Sequence, residues 1–81
     1  MGYGRGRNYV SDTMISTVIH ATMEALRISP EGVTARQVAQ FMGCTPVKAS
    51  YRLGIVYRQP GSPLTRTVPE GHNTCVYRIA A

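Results

Sequence analysis

Acidic residues are scarce in this chain: Asp12, Glu24, Glu31 and Glu70 are the only four. They are scattered among separate segments, so local spacing pairs no two carboxylates for general acid–base work. Cysteine is rarer still. Cys44 and Cys75 make no C-x-x-C pair and have no metal-ligand spacing with His20 or His72, which predicts reduced, structural thiols and no metal site. The two histidines are too far apart to share a helix face, so each reads as a lone surface residue. No run of apolar residues approaches the roughly 20 needed to cross a bilayer. No signal-peptide apolar region follows the first arginines. These absences predict no membrane partner and a cytoplasmic or nucleoid-associated location. No nucleophile carries a local catalytic signature. The glycines around Arg5 neither follow a strand nor open a helix, as a phosphate loop would. No internal repeat appears. The expectation is a protein that is not an enzyme and uses no cofactor.

What the chain does have is positive charge. Its formal net charge is +5 in 81 residues, and arginine supplies nearly all of the cations, because Lys48 is the only lysine. The planar guanidinium fork favours two-pronged contacts with phosphate and guanine. The bland alternative is a merely basic soluble protein. The length allows one small domain with a marginal core.

The stretch from Val33 to Val56 is the most structured part of the text. Thr34 is a good helix N-cap, and Gln37 three residues on completes a capping box. Val33 and Val38 flank that cap as a hydrophobic staple. The helix runs to about Met42, and Gly43 suits the left-handed residue that ends a helix. Thr45 then caps a second helix, with Pro46 at the first helical position, where its missing N–H costs nothing. Two short helices around a tight turn make a helix-turn-helix, whose second helix enters the major groove of DNA. At about 100° per residue, Ala49, Leu53 and Val56 share one side of this helix and should be core. Val47, Lys48, Tyr51, Arg52 and Ile55 lie on the other. A solvated face with stray apolar groups is the plain alternative for the second set.

Residues 12–28 read as an amphipathic first helix capped by Ser11 or Asp12. Met14, Ile15, Val18, Ile19, Thr22, Met23, Ala25 and Leu26 form its core half. Arg58–Pro63 is a loop by its proline and glycine content. Leu64–Val68 and Thr74–Ile79 read as two strands joined by a turn over Pro69–Asn73. Cys75, Tyr77 and Ile79 alternate onto one face. Such a hairpin is marginal alone, so one end must rest on the helices. Residues 1–10, rich in glycine and arginine, read as a flexible basic arm.

Thr34, Val38, Ala39, Gly43, Thr45, Ala49 and Leu53 follow the spacing T-x-x-x-[apolar]-A-x-x-x-G-x-[ST]-x-x-x-[apolar]-x-x-x-L. In this the chain resembles the winged helix-turn-helix family over residues 11–81. The resemblance implies an α+β fold: a three-helix bundle with a C-terminal β-hairpin wing. It implies that a small residue at Ala39 lets two helices cross closely, and that Cys44 is a small core hydrophobe in the turn. It also implies duplex DNA binding, as a transcription regulator or a small DNA-associated accessory protein. The expected contacts are Thr45, Val47, Lys48, Ser50, Tyr51 and Arg52 on the recognition helix, Arg36 on the helix before it, and Arg66, His72 and Asn73 on the wing. Arg5-Gly6-Arg7 resembles the core of an AT-hook, with Asn8 in place of the usual proline, so Arg5 and Arg7 are expected in a narrow A·T minor groove.

Two other readings stand beside this one. Val47, Tyr51 and Ile55 form an apolar row that suits a protein partner, since aromatics anchor interfaces. Some winged helices read left-handed DNA or double-stranded RNA with an Asn and a Tyr on the third helix. The aligned positions here are Tyr51 and Ile55, which argues against that use. Whether the chain forms a homodimer on two half-sites is left open.

Overall fold

A computed structural model of the chain describes residues 11–71 and 74–80. Three helices come first: α1 (Asp12–Ile28), α2 (Ala35–Met42) and α3 (Pro46–Tyr57). An antiparallel hairpin follows, β1 (Leu64–Thr67) with β2 (Val76–Ile79). This is the layout expected of a small α+β winged helix.

Each helix begins where its local chemistry says it should. The Ser11 side chain accepts from the Met14 N–H at 3.1 Å. At α2 both halves of the capping box form: the Thr34 N–H donates to Gln37 Oε1 at 2.8 Å, and Thr34 Oγ1 accepts from the Gln37 N–H at 3.4 Å. Gln37 also donates from Nε2 to Ser29 Oγ at 3.1 Å, which ties the end of α1 to the start of α2. Gly43 ends α2 with φ 68° and ψ 35°, and its N–H reaches the Ala39 carbonyl. Thr45 caps α3 by accepting from the Lys48 N–H at 3.2 Å, and Pro46 follows it.

The core lies where α1 crosses the helix pair. Val18, Val33, Val38, Ala49, Leu53 and Val56 are fully buried, with Ala21, Ala25, Ala39, Leu64 and Tyr77 nearly so. Thr22 is the one buried polar residue among those described, and its hydroxyl donates to the Val18 carbonyl at 2.8 Å, so it carries no unsatisfied group. Small residues at Ala39 and Ala49 sit where α2 meets α3.

Val33 does more than staple a cap. Its N–H donates to the Tyr77 carbonyl at 3.0 Å, and the Tyr77 N–H donates to the Val33 carbonyl at 2.7 Å. β2 is therefore held on both edges, by β1 on one side and by Val33 on the other. This bridge, together with β1 against α3 and β2 against α1, stabilises a hairpin too short to stand alone. One isolated valine between a loop and a cap has no period-two pattern, which is why sequence reading misses it as a strand position.

Several sequence expectations need correction. Met23 is 49% exposed rather than core. The buried stripe of α1 centres on Val18, Thr22 and Ala25, and Met23 lies too far around the helix for α2, α3 or β2 to cover it. Ala21, absent from the expected stripe, is buried instead. Cys44 is half-buried and outside the core cluster, because it stands in the turn straight after the left-handed Gly43. Cys75 does pack on the core, and both thiols are free. The strands are shorter than expected at the turn end: pairing stops at Thr67 and Val76. Pro69, which has no N–H to donate, follows directly on Val68.

Candidate nucleic-acid interface

The outward side of α3 is the face the fold leaves open. Its inward side is fixed by Ala49, Leu53 and Val56, all fully buried. Opposite them stand Val47, 80% exposed, and Tyr51, 66% exposed. These residues are four apart and therefore neighbours on the helix surface. Lys48 and Ser50 are exposed beside them, and Thr45 is exposed at the helix start. The Thr45 hydroxyl accepts one bond in capping, and its own proton is free to be donated outward. Pro46 has no N–H, so the Val47 N–H is the first backbone donor of α3.

Two expected members of this face sit differently. Arg52 is half-buried on the flank, where it borders a shallow depression with Met14, Val18 and Met42 rather than lying opposite the core stripe. Ile55 is also half-buried, so the exposed apolar row shortens to Val47 and Tyr51. Arg58 was not anticipated. It is the C-cap residue of α3 and is exposed, and its guanidinium folds back over the buried Gly54 on the outward side. A face reading that stops at the last helical residue misses it. Extending the 100° spacing by one residue puts Arg58 in line with Val47 and Tyr51.

Arg66 is the clearest difference at the wing. Along β1, Leu64 is buried and Arg66 half-buried on the same face, while Thr65 and Thr67 are exposed on the other. Arg66 stands opposite Tyr77 in the strand register. The Tyr77 backbone groups are engaged by Val33, so this is a non-hydrogen-bonded pair, the arrangement that brings cross-strand side chains closest. The guanidinium lies over the Tyr57 ring, 4.4 Å from its centroid. Hydrogen-bonding attraction of the Tyr77 phenol pushes the Arg66 pKa up, outweighing the small loss of hydration. Arg66 thus joins the wing to the end of α3. Tyr57 is the partner that sequence reading left unassigned. On the outer face, Arg78 donates from Nη1 to Thr67 Oγ1 at 3.2 Å.

Charge is distributed unevenly around this face. Between Glu31 and Glu70 the sequence has no acid, and it carries Arg36, Lys48, Arg52, Arg58 and Arg66. Arg36 is exposed in the first turn of α2. Asp12 and Glu24 are on α1, where Glu24 pairs with Arg27 at 3.7 Å. Arg5, Arg7, His72 and Asn73, also expected contacts, lie outside the described residues. Among the described residues no three His, Cys, Asp or Glu side chains are grouped to hold a metal ion. No described helix is long and apolar enough to cross a membrane.

No family model, curated protein or solved structure matches the chain. The layout is nevertheless that of a winged helix: three helices, then an antiparallel hairpin. Within that layout α3 presents an open face of two exposed apolar side chains bordered by cations. With its side chains an α-helix is about 10–12 Å across, close to the roughly 12 Å width of the major groove.

Proposed function

We propose that this chain binds double-stranded DNA, with α3 in the major groove and the wing against the neighbouring backbone. The observation that carries the reading is the acid-free span between Glu31 and Glu70, which holds five cations, three of them (Lys48, Arg52 and Arg58) on α3 or its C-cap. Lys48, Arg36 and Arg58 are the cations free to meet phosphates. Val47, Ser50 and Tyr51 are the groups nearest base edges, and the Thr45 hydroxyl with the Val47 N–H suits a phosphate at the helix start. Arg52 flanks the footprint, and Arg66 holds the wing that would meet the backbone. Transcription regulation, or an accessory role on DNA in the cytoplasm or nucleoid, follows from such binding.

The second reading is a protein-docking module, favoured by the exposure of Val47 and Tyr51 on one helix face. Backbone amide shifts followed by residue during a duplex titration test the first reading. DNA binding predicts shifts concentrated at 45–52, at Arg58 and along the wing. Shifts confined to residues outside α3 and the wing would overturn the α3 assignment, and no shifts at low salt would overturn the DNA reading in favour of protein docking.

A further inference from the structure

The exposed large hydrophobic side chains of α3 are Val47 and Tyr51. Neither carries the forked donor–acceptor pair that reads guanine or adenine edges. Arg, Asn and Gln forks perform that task in the major groove, and the outward stripe in the first two turns of α3 has none of them, which leaves Lys48 and Ser50 as the polar groups beside the two apolar side chains. Arg52 is drawn to the flank, and the Arg58 guanidinium lies over Gly54 a full turn further on. The one base-edge feature in the major groove that an isopropyl group recognises is the C5 methyl group of a pyrimidine. Val47 is placed for this by its position: it is the second residue of α3, in the first turn of the helix, and is 80% exposed. Pro46 before it fixes the backbone, and the Thr45 cap holds the first turn. Lys48 beside it supplies the opposite charge to the phosphates that flank the groove.

We infer that α3 reads 5-methylpyrimidines, thymine or 5-methylcytosine, by apolar contact of Val47 and Tyr51 with the C5 methyl group. The inference rests on the DNA-binding reading above and names what that same face selects. Apolar contact of this kind is modest per group. Burying one methyl is worth a factor of about three to four in affinity. A site with two such methyls reaches roughly tenfold.

The test uses the full chain and matched duplexes of equal length and salt. In one arm an A·T-rich duplex is compared with the same duplex carrying deoxyuridine for every thymidine, which removes only the methyl groups. In the other, a C·G duplex is compared with its 5-methylcytosine form, which adds them. The expected result is weaker binding, by about threefold to tenfold, on removing methyls, and stronger binding on adding them. The double substitution Val47→Ser with Tyr51→Ser should abolish both differences while leaving the thermal transition in place, because both side chains are exposed. Equal affinity within both pairs, with duplex binding intact, would overturn methyl reading and leave the DNA-binding proposal standing. Differences that persist in the double variant would also overturn it, assigning them to duplex shape instead. Absence of binding to any duplex would overturn both proposals and point to a protein partner.

Discussion

Leu53 and Lys48 are five residues apart on one helix and have opposite fates. Leu53 is fully buried under α1, and Lys48 is exposed. Leu53→Ala should therefore cost about 2–5 kcal/mol of folding stability, as a core truncation that leaves a cavity. Lys48→Ala should leave the thermal transition nearly unmoved and weaken duplex binding, by about 1–3 kcal/mol if the ammonium reaches a base. Denaturant unfolding and a binding titration on both variants check the pair. A silent Leu53→Ala or an unfolded Lys48→Ala would mean that the faces of α3 are wrongly assigned. Gly32 is a second site where one residue decides. Its φ is +139°, and a Cβ there would overlap Val76 Cγ1, with the Arg78 guanidinium also close. Gly32→Ala should destabilise by roughly 1–3 kcal/mol, measured by chemical unfolding, because strain and crowding add at the residue before the Val33 bridge. Nothing in the text around Gly32 distinguishes it from an ordinary loop glycine, since its constraint comes from β2, more than forty residues away in the chain.

At the scale of elements, the helices are legible in the sequence because their signals are local. Ser11, Thr34 with Gln37, Gly43, Thr45 and Pro46 mark starts and stops by chemistry within three residues of each boundary, and the observed helices obey them. The Ala49, Leu53 and Val56 stripe is equally legible from spacing. What spacing cannot show is how a flank packs. Arg52 turns toward the first turns of α1, Met23 is left half exposed, and Arg66 shares the Leu64 face because its strand register sets it opposite Tyr77. The stack of Arg66 on Tyr57 makes the wing an extension of α3. Removing it by Arg66→Ala should lower stability by about 0.5–1 kcal/mol, the usual worth of an exposed cation–π contact. Arg66→Lys should retain the charge but lose the flat stacking, and recover only part of the loss. Arginine is charged across the whole neutral range, so this contribution is independent of pH there, and the upward shift only moves its loss further into alkali. A cation whose folded pKa lies above its unfolded one adds stability that is fully present below the unfolded value, and here it is lost only in strong alkali. Thermal melts of both variants at pH 6 and pH 8 should therefore show the same difference from the parent chain.

For the whole molecule the decisive property is the placement of charge. A net charge of +5 alone would make any small protein weakly sticky toward nucleic acid. Here the acid-free span contains α2, α3 and β1, and the acids among the described residues lie outside it. Arg5 and Arg7 add to the balance from the other end of the chain. Deleting residues 1–9 should leave the melting transition intact and lower affinity more for A·T-rich than for G·C-rich duplex, because a narrow A·T minor groove holds the stronger negative potential for arginine. An unchanged ratio of the two affinities would assign that segment a purely electrostatic role or none. The central claim, that the α3 face binds duplex DNA, is tested most directly by the salt dependence of the dissociation constant on a duplex of arbitrary sequence. Three cations meeting phosphates, Arg36, Lys48 and Arg58, predict about micromolar binding at low salt, with log K falling against log salt at a slope of roughly −3. No measurable binding at low ionic strength, or an affinity indifferent to salt, would contradict it.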